Sequence, residues 1–278
     1  MSSAREQELA TALTAVRERL ERAAESVGRR ADEIELLPVT KFFPASDVVA
    51  LQRLGCSAFG ESRDQEATRK VDDVGELVGG APVRWHMVGR IQRNKARSIA
   101  RWAHVAHSVD SPKLVAALSR AAAEALDEGQ RSDPLHVFLQ LSLDGDEARG
   151  GVDVDATDRI DELCDAMDRA EGLHFAGLMA IPPLHADADA AFTRLHREYR
   201  RVQERYPQTL ALSAGMSGDL EIAVKHGSTC VRVGTALLGA RPLTSPEVTP
   251  VTRSPQTTGS LGSTDKTETS SPHKGSAR

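Results

Sequence analysis

Between Glu35 and Pro242 the chain repeats one pattern eight times, a short apolar or β-branched run followed by a stretch with helical spacing, at an average interval of 26 residues. The runs at 35–40, 57–60, 84–88, 104–109, 135–143, 173–181, 209–213 and 229–233 read as strands. The stretches 45–54, 91–101, 111–126, 155–169, 187–205 and 217–226 read as helices, several opened by Ser or Asp in capping position. Such alternation demands parallel strands joined by crossovers. Eight of them in one domain-sized segment predict an α/β fold closed as a (β/α)8 TIM-type barrel. The competing open, doubly wound sheet would carry a G-x-G-x-x-G turn or a P-loop, and the sequence has neither. Ahead of the repeat, Ala10, Leu13, Val16 and Leu20 fall at helical spacing and predict an extra N-terminal helix.

The repeat defines one domain over residues 1–242. Residues 243–278 are different: seven Ser, eight Thr, four Pro and three Gly, with no aromatic residue. A segment of that composition cannot bury enough apolar surface to offset its ordering entropy, and it is expected to be a disordered tail. Charge narrows the function classes. With 35 Lys and Arg against 40 Asp and Glu, the formal net charge is −5, which argues against a protein built to grip nucleic acid. No window carries the ~18 apolar residues of a membrane helix, and the charged N-terminus lacks the apolar core of a secretory signal. A cytoplasmic protein is expected. Cys56, Cys164 and Cys230 are odd in number, widely spaced and without C-x-x-C, so they read as reduced packing residues.

In a barrel of this kind, functional groups come from the C-terminal strand ends and the loops that follow. Lys41 follows the first strand, after Leu36-Leu37-Pro38-Val39-Thr40. Desolvation at the barrel mouth would make it a nucleophilic amine able to form a Schiff base with a carbonyl, the alternative being a surface lysine at a strand end. Ser213, the Gly215-Met216-Ser217 turn and Gly234-Thr235 all fall after strands seven and eight. There hydroxyls, glycine-freed N–H groups and a helix start can converge on a phosphate, the alternative being an ordinary N-cap at Ser217 with two tight glycine turns. Amine and anion site together outline a phosphorylated aldehyde, pyridoxal 5′-phosphate. Arg232, two residues before Gly234, would then point inward beside the pyridine nitrogen, unless it is a core arginine paired with a carboxylate such as Glu61.

The stretches Val39-Thr40-Lys41, Phe59-Gly60-Glu61, Trp85-His86-Met87-Val88-Gly89 with Gln92 and Asn94-Lys95, Gly177-Leu178-Met179-Ala180-Ile181, Leu212-Ser213-Ala214-Gly215-Met216-Ser217-Gly218-Asp219 and Val231-Arg232-Val233-Gly234-Thr235 with Leu238-Gly239 resemble, in order, the pyridoxal phosphate homeostasis protein family. The resemblance spans residues 10–241. It implies a single-domain relative of the N-terminal barrel of alanine racemase that carries pyridoxal phosphate covalently on Lys41 and acts as a carrier or buffer without catalysis. By the same likeness Ser213, Ser217, Gly234 and Thr235 hold the phosphate, Arg232 faces the ring nitrogen, and Met179 and His86 line the pocket. Ser62 belongs to the cofactor-binding set but stands where the family usually has Asn, and Phe42-Phe43 replaces a more polar continuation after the lysine.

Three functional classes compete. A carrier needs only the cofactor site. A pyridoxal phosphate racemase needs acid–base groups on both faces of the substrate carbon, the second being, in alanine racemase, a tyrosine from another subunit's C-terminal domain. No such domain is read in this sequence, and its two tyrosines, Tyr199 and Tyr206, belong to the helix after strand six and its end, where packing and a capping contact are expected. A Schiff-base aldolase commonly holds its lysine on a later strand. The carrier is therefore expected, as a monomer, with pyridoxal phosphate-dependent apo-enzymes as candidate recipients. A metal is not expected, because His104 and His107 are three apart on one strand and face opposite ways. The basic helix start at Gln92–Arg97 and the Arg194, Arg197, Arg200 and Arg201 cluster read as solvated faces with ion-pair support.

Overall fold

The computed structural model describes residues 3–78, 82–146, 150–183 and 186–241; the expected tail, residues 243–278, lies outside them. Strands and helices alternate in order: β1 (Glu35–Pro38), α2 (Ala45–Arg53), β2 (Ala58–Glu61), α3 (Asp64–Val78), β3 (Arg84–Met87), α4 (Ala96–Trp102), β4 (Val105–Val109), α5 (Pro112–Asp127) and β5 (Leu135–Ser142). A two-residue β6 (Val152–Asp153), α6 (Thr157–Asp168), β7 (Leu173–Ala180), α7 (Ala188–Gln203), β8 (Ala211–Ser213), α8 (Leu220–Lys225), β9 (Cys230–Val233) and α9 (Thr235–Leu238) complete the order. The strands run β1-β9-β8-β7-β5-β4-β3-β2 in one sheet, all pairs parallel, with β6 a short addition to β5. This is the eight-stranded α/β barrel that the repeat predicts.

The barrel closes at a narrow seam. Between β1 and β2 the ladder contact among the described residues is the Val39–Gly60 bridge, reinforced by Thr40 N–H donating to Gly60 O at 2.9 Å. The amides of Glu35 and Val39 donate toward β9, so in an alternating backbone those of residues 36, 38 and 40 face β2. One of them belongs to Pro38, which has no N–H to give. The seam is consequently nearly closed rather than fully laddered, and it lies directly beneath Lys41.

Alternation sorts each strand's side chains. Trp85 and Met87, Val137 and Leu139, Phe175 and Leu178, Leu212, Val231 and Val233 join one large buried cluster with the helices. The residues between them point into the barrel, where Val105, Phe138 and Met179 make one small cluster and Leu37, Ala58 and Cys230 another. Helix α1 (Ala4–Glu25) is the extra N-terminal helix, capped by Ser3, which accepts from Glu6 N–H at 3.1 Å; it buries Leu9, Leu13, Val16, Leu20 and Ala24 against the outer layer.

Two expectations are corrected. Helix α3, absent from the sequence reading, is present, and its inner face of Ala67, Lys70 and Val74 hides the apolar period behind a small residue and a charge. The helix expected from Ser217 starts only at Leu220, because Asp219 Oδ1 accepts from Met216 N–H at 2.5 Å and holds 216–219 as a turn. Cys56, Cys164 and Cys230 are free thiols. Among the described residues no helix is long and apolar enough to cross a membrane.

Candidate binding site at the barrel mouth

Parallel register fixes what stands next to Lys41. Pro38 pairs with Val233, and Val39 N–H donates to Val233 O at 2.9 Å, so the residues following β1 rise beside those following β9. A Cβ placed on Gly234 would lie 3.6 Å from Val39 O, an ordinary contact. Lys41 and the Gly234-Thr235 turn are therefore neighbours across one strand pair. Lys41 itself is exposed, as in the surface-lysine alternative, since the turn after the seam carries it past the last ladder bond. Its Nζ lies 6.0 Å from the Phe42 ring centroid, a ring also approached by Arg63 at 5.2 Å and Arg241 at 3.9 Å.

The second half of the mouth is built from small residues. Gly215 takes φ +91, where a Cβ would meet Ala223 Cβ at 2.5 Å, and this lets the chain turn sharply out of β8. Ser217 Oγ then accepts from Ala236 N–H at 3.2 Å, tying the β8 turn to the first turn of α9. Ser217 thus braces α9 rather than capping the helix that follows it. Thr235 is exposed, Ser217 and Gly234 are half-buried, and nothing lies within 4 Å of a Cβ built on Gly218. Ser217, Gly234 and Thr235 form one open cup. Ser213 is apart from it, fully buried within the barrel.

Ser213 instead belongs to a buried chain below the mouth. Arg232 Nη1 donates to Ser213 Oγ at 2.5 Å and Nη2 donates to Ala180 O at 3.0 Å. Ser213 Oγ lies 2.9 Å from His107 Nδ1, and His107 Nε2 lies 3.0 Å from His86 Nδ1. With neutral rings the chain runs in one direction: the arginine donates to the serine, the serine hydroxyl to His107, and His107 to His86. It leaves the N–H of His86 at Nε2, a buried atom with no partner among the described residues. Burial, then the nearby Arg84, pushes the His86 pKa down to about 3, and burial with His86 and Arg232 holds His107 well below the ordinary histidine value. Both rings are neutral. Phe138 stacks on His107 at 4.7 Å, and Met179, buried with Phe138 and Val105, walls the same space.

Arg232 makes no ion pair among the described residues, so the alternative of a core pairing with Glu61 does not hold. Glu61 faces out of the barrel to Lys70, with Nζ at 2.7 Å from Oε1. A buried guanidinium with donors to spare, facing neutral histidines, fits a ligand that brings its own acceptor. Ser62 is half-buried at the end of β2, its backbone packed so closely on Gly89 that a Cβ there would come within 2.1 Å of Ser62 O. His104 and His107 diverge as their spacing demands: His104 Nδ1 accepts from Trp85 N–H at 3.1 Å. Arg194 and Arg201 pair with Asp155 and Asp161.

Sequence reasoning missed Lys70, Glu66, His107 and Phe138 as members of this region. The signal for His107 and Phe138 was their inward parity with His86 and Met179 on neighbouring strands.

The family model for the alanine racemase N-terminal domain matches residues 12–242. A Mycobacterium tuberculosis protein named pyridoxal phosphate homeostasis protein is 58% identical over 248 residues, covering 87% of this chain and 96% of its own length. The chain belongs to the pyridoxal phosphate homeostasis protein family. PipY of Synechococcus elongatus PCC7942, solved with PLP bound, matches this homeostasis-family chain with a TM-score of 0.69 and 32% identity, over 83% of this chain and all of PipY. The alanine racemase of Streptomyces coelicolor A3(2) shares the fold alone, at 20% identity and a TM-score of 0.61 over 82% of this chain and 58% of the racemase.

Proposed function

We propose that this chain binds pyridoxal 5′-phosphate covalently through Lys41 and keeps it for handover to other proteins, without turning over a substrate. The observation that carries this reading is the adjacency, across the β1–β9 register, of the Lys41 amine and the Ser217, Gly234 and Thr235 cup, directly above Arg232. When bound, the cofactor supplies an aldehyde, which an amine attacks with loss of water, and a phosphate dianion. Lys41 Nζ is the amine. Thr235 and Ser217 hydroxyls and the Gly234 backbone hold the phosphate. Ser213, within the same cofactor set, acts from below by fixing Arg232, whose remaining N–H groups donate to the ring nitrogen. Met179 packs against the ring, Ser62 borders it at the β2 end, and His86 steadies the chain beneath.

An arginine donor keeps the ring nitrogen unprotonated and weakens its pull on substrate electrons, which suits storage over catalysis. The tyrosines support the same reading. Tyr199 Oη donates to Leu210 O at 2.7 Å and Tyr206 Oη to Asp165 Oδ1 at 2.8 Å, so both phenols are engaged away from the mouth. Neither serves as a second proton-transfer group. The exposed Lys41 leaves one side of the site to water, which favours reversible release to apo-enzymes. We place this activity in the cytoplasm and in a monomer.

Borohydride reduction of the protein loaded with pyridoxal phosphate, followed by peptide mass mapping, tests the reading. A pyridoxyl adduct on Lys41, lost in Lys41→Ala with the fold retained, is expected. Reduction at another lysine, or none, overturns the assignment.

A further inference from the structure

The chain on either side of Lys41 is tied to one buried ammonium. Lys70 on α3 is 5% exposed, and its Nζ donates to Thr40 O at 2.8 Å and to Glu61 Oε1 at 2.7 Å, with Glu66 Oε1 at 3.7 Å. Each carboxylate in turn grips a neighbour of Lys41. Glu61 Oε1 accepts from Thr40 Oγ1 at 2.7 Å, and Glu66 Oε1 accepts from Phe42 N–H at 2.7 Å. Phe42 has φ 70, the only non-glycine residue in the left-handed region among those described. For a bulky side chain that conformation is strained and persists only when its surroundings hold it. Residues 40 and 42 are thus fixed while residue 41 remains exposed between them.

Packing gives no reason for this arrangement. A buried ion pair is seldom more stabilising than apolar residues of the same volume, and Glu61 Oε2 is buried with no partner among the described residues, so the network is not even fully satisfied there. A methionine and a leucine at these positions would extend the outer apolar layer of β2 and α3. What the charged pair supplies and an apolar pair cannot is a grip on polar backbone atoms: a carbonyl on one side of Lys41 and, through Glu66, an N–H on the other.

We propose that Lys70 is a positioning residue for Lys41, holding the 40–42 backbone so that the Lys41 amine stands over the cup at the end of β9. Lys70 acts through Thr40, Glu61 and Glu66, and the proposal rests on the reading of Lys41 as the amine that takes the aldehyde. A segment released from this hold samples other conformations, and the amine spends less time in the productive geometry. Displacements of about 1 Å can alter such reactions by orders of magnitude.

Lys70→Met alone leaves Glu61 as a buried unpaired carboxylate and lowers stability, so the deciding variant is Lys70→Met combined with Glu61→Gln, which removes both charges and keeps an acceptor for Thr40. Three quantities are read: the thermal midpoint, amide hydrogen exchange at Phe42 and Phe43 in the cofactor-free protein, and the rate of pyridoxal phosphate release. In the double variant the midpoint is expected to recover above that of Lys70→Met. Exchange at Phe42 and Phe43 should quicken and release should accelerate about tenfold. Wild-type exchange and release in the folded double variant overturn the proposal. Should the double variant not fold, Glu66→Gln decides, because it weakens the hold on Phe42 without stranding a buried charge; release about threefold faster supports the proposal and unchanged release overturns it. Borohydride mapping of the wild type separates the two readings. An adduct at Lys41 with unchanged variants fails only the role of Lys70, whereas no wild-type adduct at Lys41 fails the cofactor assignment.

Discussion

The two faces of the same strands are built to opposite rules. On β3, Trp85 and Met87 enter the large outer cluster while His86 between them points into the barrel; on β9, Val231 and Val233 face out and Arg232 faces in. Strand β8 repeats the division with Leu212 outside and Ser213 inside. The outer layer is apolar apart from the Glu61–Lys70 pair between β2 and α3, and is supported by the helices that pack on it. The inner column mixes two small apolar clusters with a histidine pair, a serine and an arginine. Stability therefore resides mainly between sheet and helices, which frees the barrel interior to carry polar groups that a single-layered core could not tolerate.

That division can be broken by a pair of substitutions. Phe59 is fully buried in the outer layer, with its ring centroid 5.9 Å from that of Trp85. Phe59→Ala should lower the unfolding free energy by about 3–5 kcal/mol, read from the denaturant midpoint, with pyridoxal phosphate retention unchanged at permissive temperature. Arg232→Met removes a buried charge that has no ion pair among the described residues but takes the donor from Ser213 Oγ and Ala180 O, and should lower stability by about 1–3 kcal/mol, while altering the absorption of the bound cofactor. Equal losses from the two would show that the inner column bears as much of the fold as the outer layer.

A smaller effect sharpens the contrast inside the site. If the cup holds the phosphate and Ser213 does not, Thr235→Val combined with Ser217→Ala should weaken cofactor retention by about 2–4 kcal/mol, the worth of two charge-assisted hydrogen bonds. Ser213→Ala should instead act through Arg232, changing the absorption of the bound cofactor more than its retention. Equilibrium dialysis and spectra of the two variants distinguish these outcomes, and a reversed pattern would return Ser213 to the cup.

Where the sequence was legible follows the same physical line. Strand positions and the barrel were readable because eight runs of outward Val, Leu, Phe and Trp recur at a fixed interval, and the mouth residues Lys41, Gly234 and Thr235 followed from where those runs end. Helix α3 was not readable, since the residue that anchors it inward is Lys70, and a charge on an inner face looks like surface until its partners are known. Ser213 and Ser217 looked equivalent along the chain, four residues apart. Only the turn held by Asp219 places one inside the barrel and the other at its rim. The exposure of Lys41 was left open between a desolvated amine and a surface lysine, because it depends on where the β1–β2 seam ends rather than on the apolar run that precedes the lysine.

Acid provides the finest probe of the inner column. His86 and His107 are held neutral by burial, with Arg84 adding to the effect on His86, and with His86 and Arg232 adding to that on His107. In the unfolded chain both titrate near 6.5. Between that value and about 3 the unfolded state binds protons that the folded His86 refuses, so stability is complete above pH 6.5 and is lost as pH falls. Such a histidine contributes up to about 1.4 kcal/mol per pH unit, which for His86 amounts to about 1.3 kcal/mol between pH 7 and 5.5, and His107 acts in the same direction. His104 and His136, also lowered chiefly by burial, add to the wild-type slope, whereas Glu61, whose carboxyl burial pushes upward, gains stability from protonation and opposes it. Urea unfolding across this range should therefore show a steeper pH dependence in the wild type than in the His86→Phe, His107→Phe double variant. Parallel slopes would mean that the two rings accept protons in the folded barrel, and the His107–Ser213 hydrogen bond would then run from the ring to the serine, with Arg232 still donating to Ser213 Oγ.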